Sequence, residues 1–276
     1  MRRPLTVAIS PCPNDTFVWG AIALGYVKVP FSLRFRYEDI QTLNQLAHRG
    51  EADILKISFY QYALLPRGSY QLLSAGAALG YGVGPLLVAR RRLSNTELSS
   101  ARIGIPGKGT TAYSLLRFFL PQAEHLVEMR YEKLMPAVAR GDLEAAVIIH
   151  ESRFTYKQWG LVCLQDLGEY WTQVTGYPIP LGGVAVRRGL PRRLISRALR
   201  YSLRLAWQGK VPGLNAYIGT YAQELNPSVQ KAHIDLYVNS FTQRLGPVGS
   251  QAVRFYLRWV QQQSRVYSNF TYPSLL

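Results

Sequence analysis

Two stretches, LTVAISPCPNDTFVWGAIAL (residues 5–24) and ARIGIPGKGTTAYSLLRFFL (residues 101–120), share one layout. In the first, Val7 to Ile9 reads as the end of a strand, a Pro-rich turn follows, and Asp15 and Thr16 are candidate caps for a helix starting near Phe17. In the second, Ile103 to Ile105 is the strand, PGKG the turn, and Thr110 or Thr111 the cap.

A second pair extends the repeat. LAHRGEADILKISFYQY (46–62) ends a helix at Arg49-Gly50 and enters a strand through Ile54 and Leu55. AVARGDLEAAVIIHESRFTY (137–156) ends one at Arg140-Gly141 and enters a strand through Val147 to Ile149. Glycine just past a helix is a common stop signal. Each half of the chain therefore carries βαβ-type construction. A third pair, GYGVGPLLVARR (80–91) and PLGGVAVRRGL (180–190), brackets the second unit; each runs from glycines through a short apolar strand to paired arginines. The expected fold is α/β with two lobes. Lobe one is residues 1–88 and 186–276, including C-terminal helices, and lobe two is 89–185. Two crossing strands form a hinge over an inter-lobe cleft.

Composition sets bounds. A chain of 276 residues, 48% hydrophobic, suits one or two domains with a sizeable core. No apolar run reaches the roughly 18–20 residues that span a bilayer. MRRPLTVAIS begins like a signal peptide but meets PCPND too soon for an apolar h-region. Cys12 and Cys163 lack metal-like spacing and are expected to be free thiols in a reducing cytoplasm. The charge stands out, with 32 Lys plus Arg against 16 Asp plus Glu. Arg193, Arg197, Arg200 and Arg204 fall at helical spacing, the mark of a helix with a basic, solvated outer face. No nucleic-acid motif accompanies them, so no specific nucleic acid is expected; weak association with an anionic membrane surface stays open, as does the oligomeric state.

In open α/β sheets ligands bind beyond the carboxyl ends of the strands. Four polar clusters fall there: Ser10 to Thr16, Lys56 with Ser58, Lys108 to Thr111, and His150 to Arg153. Lys108-Gly109-Thr110-Thr111 offers close backbone approach and a helix N-terminus suited to a carboxylate, or simply a cap. It is not a Walker A loop, and no GxGxxG opens a helix. Lys56 and Ser58, at i and i+2, share a face. Cys12 reads as a small buried turn residue rather than a nucleophile, since no base lies near it in sequence. His150 is the candidate for proton transfer, with an ordinary pKa of about 6.5. Glu151, next along a strand, would point to the opposite side. Arg153 is expected to pair Glu151 or a substrate. His48, His125 and His233 have weaker claims, and no metal constellation is apparent.

SPCPNDTF, YEDIQTLN, LKISF, GYGVGPLLVA, GKGTTAY, IIHESRFTY and DLGEYW, in this order, resemble the 1,4-dihydroxy-6-naphthoate synthases of the futalosine route to menaquinone. The resemblance implies a periplasmic-binding-protein-like (type II) fold and a cytoplasmic carbon–carbon lyase without metal or organic cofactor. Its substrate would be a small-molecule carboxylate, cyclic dehypoxanthinyl futalosine. It makes His150 the proton acceptor, and Lys56, Ile57, Ser58, Thr110 and Thr111 substrate contacts. Ser10, Asn14 and Arg153 are further candidates, and Tyr60, Tyr113 and Phe154 could pack an aromatic ring. Chorismate dehydratase of the same pathway is the nearest alternative, disfavoured by the SPCPNDTF and IIHESRFTY pair. A non-catalytic small-anion binding protein is the other, disfavoured by the lack of an export signal.

Overall fold

The computed structural model describes residues 3–268. Met1 and Arg2 of the N-terminal stretch and residues 269–276 of the first lobe lie outside the described residues. The first unit runs β1 (Leu5–Ile9), α1 (Pro13–Ala23), β2 (Leu33–Tyr37), α2 (Ile40–Arg49), β3 (Ile54–Ser58), α3 (Phe59–Leu64), β4 (Tyr70–Leu72) and β5 (Ala78–Gly80). The second runs β6 (Leu86–Ala89), α4 (Asn95–Ser100), β7 (Arg102–Ile105), α5 (Thr111–Phe119), β8 (His125–Glu128), α6 (Tyr131–Arg140), β9 (Ala145–Ile148), α7 (Ser152–Thr155), a 3-10 turn (Tyr156–Trp159), β10 (Val162–Asp166) and α8 (Leu167–Thr175). The chain returns through β11 (Ile179–Arg187) and ends in α9 (Arg192–Trp207), α10 (Leu214–Tyr221), α11 (Pro227–Tyr237), α12 (Ser240–Gln243) and α13 (Gly246–Ser268).

The repeat is visible in the sheets. One has the order β2-β1-β3-β11-β4, with β5 also on β11; the other has the order β8-β7-β9-β6-β10. In each, the first three strands are parallel and the fourth is antiparallel. That fourth strand is the connector of the other half's passage: β11 completes the first sheet and β6 the second. The central strands β1, β3, β7 and β9 are fully or nearly fully buried, as expected for parallel strands covered by helices.

The chain crosses between sheets in residues 81–85 and again in 167–178. The crossings touch. A Cβ added at Gly84 or at Gly168 would collide with the backbone of the other, so both positions require glycine. Leu167 N donates to Pro85 O at 3.0 Å. Arg153 donates to the carbonyls of Gly82 and Gly84 and to Asp166 Oδ2, and Asp166 Oδ1 caps α8 through Gly168 N and Glu169 N. The boundaries expected at 88 and 185 fall inside β6 and β11, which belong wholly to the second and the first sheet; a division of the lobes at the two crossings is our proposal. α13 packs against α5 and α8 through Tyr256 and Trp259, which meet Trp171 and Phe118, so the C-terminal helix bridges back to the second sheet.

Helix starts follow local chemistry. Thr110 is the N-cap of α5, accepting from Tyr113 N. α1 starts earlier than the sequence suggests. Pro13 is its first residue, where a missing N–H and a fixed φ suit a helix, and Cys12 occupies the cap without a side-chain bond. Asp15 and Thr16, expected as caps, sit inside the first turn and are free for other work.

Candidate active site

The four clusters converge on one cavity between the sheets. Ser10, Asn14, Lys56, Ser58, Thr110, Thr111 and His150 all line it. Ile57 does not; alternation turns its side chain into the core beneath α2. Arg153 does not either, being spent on the crossings. Tyr60 and Tyr113 meet edge to face at 5.8 Å away from the cavity, and the aromatic residue lining it is Tyr237.

Several of these side chains already have partners. Lys56 Nζ lies 2.6 Å from Asp15 Oδ1, with both side chains buried, and also donates to Gly76 O. It is thus neutralised by a carboxylate rather than awaiting an anion. Ser58 Oγ donates to Gly109 O at 2.7 Å, and Asn44 Nδ2 donates to the same carbonyl at 2.9 Å. Thr111 Oγ1 donates to Leu181 O at 2.7 Å. Thr110 Oγ1 donates to Gly107 O. The Ser58, Asn44 and Thr111 bonds tie the start of α5, in the second unit, to α2, β3 and β11 of the first sheet. Gly109 permits this approach: a Cβ there would stand 3.0 Å from the amide oxygens of both Gln41 and Gln61.

His150 follows β9, and it alone among the described non-glycine residues has positive φ, at 56°. This left-handed position costs energy for a residue with a Cβ and ends the strand one residue early, at Ile148. The kink also changes the direction of Glu151. Expected on the far side of a strand, its carboxylate instead gathers with a ring nitrogen of His150 and Cys12 Sγ, these atoms lying within 4.8 Å of one another. His150 Nε2 is shielded from water and has no hydrogen-bond partner among the described residues; the same holds for both Glu151 carboxylate oxygens and for His233 Nδ1. Thiol, imidazole and carboxylate in such proximity are the residues that could hold a metal ion. The sequence did not reveal this grouping, because Cys12 and His150 are far apart in the chain.

A chain of hydrogen bonds sets the protonation of this cluster. Asp15 Oδ1 accepts from Lys56 and from Asn14 Nδ2. That turns the Asn14 carbonyl toward His233 Nε2, 3.0 Å away, so Nε2 carries the proton. His233 Nδ1 is then a lone pair facing Glu151 Oε2 at 3.9 Å. A carboxylic acid can donate to a lone pair and a carboxylate cannot, so the site favours protonated Glu151. Burial pushes Glu151 up to about 7. Burial, then the charge of Lys56, lowers His150 to about 4, and burial with His150 holds His233 well below its usual value. Burial likewise raises the Cys12 thiol well above its usual range. The resting cluster is therefore largely uncharged, with a proton-free histidine nitrogen available at neutral pH. His233, which the sequence ranked low, is fully buried here. Only its place on α11, folded back over the cavity, reveals it.

The model of the menaquinone biosynthesis family matches residues 5–262. The chain belongs to this family. Among curated relatives, a 1,4-dihydroxy-6-naphtoate synthase of Thermus thermophilus is 44% identical over 90% of this chain and 91% of its own length. A protein of the same name from Streptomyces coelicolor is 41% identical over 91% and 90%. Among solved structures, a protein from Archaeoglobus fulgidus superposes with a TM-score of 0.87 at 32% identity, covering 95% of this chain and 98% of that one. The alkanesulfonate-binding protein of Xanthomonas axonopodis, at 13% identity and TM-score 0.64 over 86% and 84%, shares the periplasmic-binding-protein-like fold. Family and fold agree with the expectations drawn from the motifs and the repeat.

Proposed function

We propose that this protein is a 1,4-dihydroxy-6-naphthoate synthase, a cytoplasmic carbon–carbon lyase that fragments cyclic dehypoxanthinyl futalosine with His150 as general base. The observation that carries the reading is a shielded, unpartnered His150 Nε2 at the inter-lobe cavity of a chain so close to relatives bearing that name.

The lobes part to admit substrate, breaking the bonds from Ser58, Asn44 and Thr111. The substrate carboxylate lies at the N-terminus of α5, where the helix dipole and the Thr110–Thr111 segment favour an anion. Hydroxyls released from the inter-lobe contacts turn to substrate oxygens. Lys56 acts mainly through Asp15, keeping Asn14 and His233 oriented. Closure excludes water, which strengthens each electrostatic contact. His150 then takes a proton from the substrate, the carbon–carbon bond of the sugar-derived ring breaks, and formation of the naphthalene ring drives the reaction. The imidazolium that forms is costly in a dry site. Glu151, near its midpoint at neutral pH, offsets that charge in the molecules where it is already a carboxylate when the site closes.

The test is incubation with cyclic dehypoxanthinyl futalosine, without added cofactor, alongside His150→Asn. Mass spectrometry reads dihydroxynaphthoate. Wild type forms product, and folded His150→Asn is slower by roughly a hundred- to ten-thousand-fold. Near-normal turnover in the variant refutes the base assignment. Absence of product from folded wild type refutes the substrate, and chorismate is then the compound to supply.

A further inference from the structure

The net charge of +16 plays no part in the cavity. The basic residues are spread along the chain, but one element stands out. α9 carries Arg192, Arg193, Arg197, Arg200 and Arg204 and no acidic residue. Arginines elsewhere, such as Arg36, Arg102 and Arg140, lean on a neighbouring carboxylate. Among the described residues no arginine of α9 forms an ion pair; Arg200 reaches the Ser74 hydroxyl at 3.3 Å. Five like charges on one helix repel one another unless an anion meets them.

The rest of the outer face is not polar. Leu194, Tyr201 and Trp207 are exposed at 37%, 47% and 44%, interleaved with exposed Arg193, Arg197 and Arg204. The opposite face is fixed: Ile195, Leu199 and Leu203 belong to the core that includes Val18 and Ile22 of α1, and Ser202 Oγ donates to Val18 O at 2.7 Å. From Arg193 to Trp207 the helix presents a straight row about 20 Å long. Guanidiniums alternating with aromatic and aliphatic side chains, on a rigid helix lying flat, match the headgroup layer of a bilayer. Arginines meet phosphodiesters there, and Trp and Tyr settle at the interface. Single-stranded nucleic acid is instead held in a charged groove with stacking platforms, and the groove beside α9, lined by Arg192, Arg193, Arg197 and Arg200, has among the described residues no aromatic side chain on which a base could stack.

We propose that the outer face of α9 docks the protein reversibly onto an anionic phospholipid membrane, independently of the reaction assigned to the cavity. Vesicle sedimentation tests it, comparing phosphatidylcholine alone with phosphatidylcholine and phosphatidylglycerol at about 2:1, at low and high salt. The full chain pellets with anionic vesicles at low salt, is released by high salt, and ignores neutral vesicles. Each arginine near the surface contributes about fivefold, so R193E/R197E/R204E weakens partitioning by more than about a hundredfold while melting temperature and turnover hold. W207A weakens it without altering the salt dependence. Equal binding of wild type and the triple variant overturns the proposal. So does no binding to anionic vesicles at low salt, or displacement of the protein from them by a single-stranded oligonucleotide that binds more tightly at every salt.

Discussion

Replacing Glu151 by Gln removes one titratable proton and almost nothing else from the buried cluster. In the folded protein this carboxyl is raised from 4.5 to about 7 by burial. At about 1.4 kcal/mol per pH unit, that difference is worth about 3 kcal/mol. The folded state binds the proton more tightly than the unfolded chain. The stability this contributes is fully present below about pH 4.5, declines as pH rises, and is gone above about pH 7. Glu151→Gln stays neutral throughout. Wild type therefore loses about 3 kcal/mol relative to the variant across that window, and the gap stays flat above pH 7.5. The other groups facing Glu151 do not mask the effect. Cys12, Tyr131 and Tyr237 are all raised by burial and stay neutral. Glu224 contributes only a weak charge interaction. His150 and His233 titrate in the opposite sense, destabilising as pH falls below about 6.5, but do so in both proteins. Urea denaturation at half-unit steps from pH 4.5 to 8.5 reads the difference directly. Parallel stability curves would refute the reasoning, because they would mean that Glu151 ionises as it does in water.

The same cluster sets the pH dependence of catalysis. With His150 lowered to about 4, the acid limb of kcat/KM lies near pH 4, measured by brief pH jumps; a limb near 6.5 would mean the imidazole is solvated. Lys56→Met strands Asp15 in the core and costs about 3–5 kcal/mol. The Lys56→Met/Asp15→Asn double variant regains most of that loss, and urea midpoints of the two tell whether the pair or the lysine alone matters. Gly168→Ala forces the crossing segments apart and destabilises by about 1–3 kcal/mol or more; an unchanged melting temperature would show that the crossings can slide.

Much of the architecture was legible in the chain because it rests on local rules repeated twice. Val7–Ile9 and Ile103–Ile105 are buried strands, Gly50 and Gly141 end helices in the left-handed conformation, and Thr110 caps α5. Once two βαβ units are recognised, the rule that ligands meet the carboxyl ends of strands places Ser10, Lys56, Thr110 and His150 around one cavity. What side chains do there was less legible, because partners are set by three-dimensional neighbours. Lys56 looked like an anion contact and is paired with Asp15. Arg153 looked like a substrate ligand and holds the crossings. His233 had a weaker claim in the sequence and lies on the buried side of α11, beside Glu151.

The sequence by itself determined the α/β class, the internal repeat, the family and the excess of positive charge, all properties of residue order and composition. Tertiary structure alone decided that His150 turns left-handed and brings Glu151 beneath it, that Asp15 orients Asn14 and so the proton on His233, and that no carboxylate among the described residues meets the outward arginines of α9. Hydrogen bonds, desolvation and charge pairing act over a few ångströms in space, and residues as far apart in the chain as Asn14 and His233 reach that range only after folding.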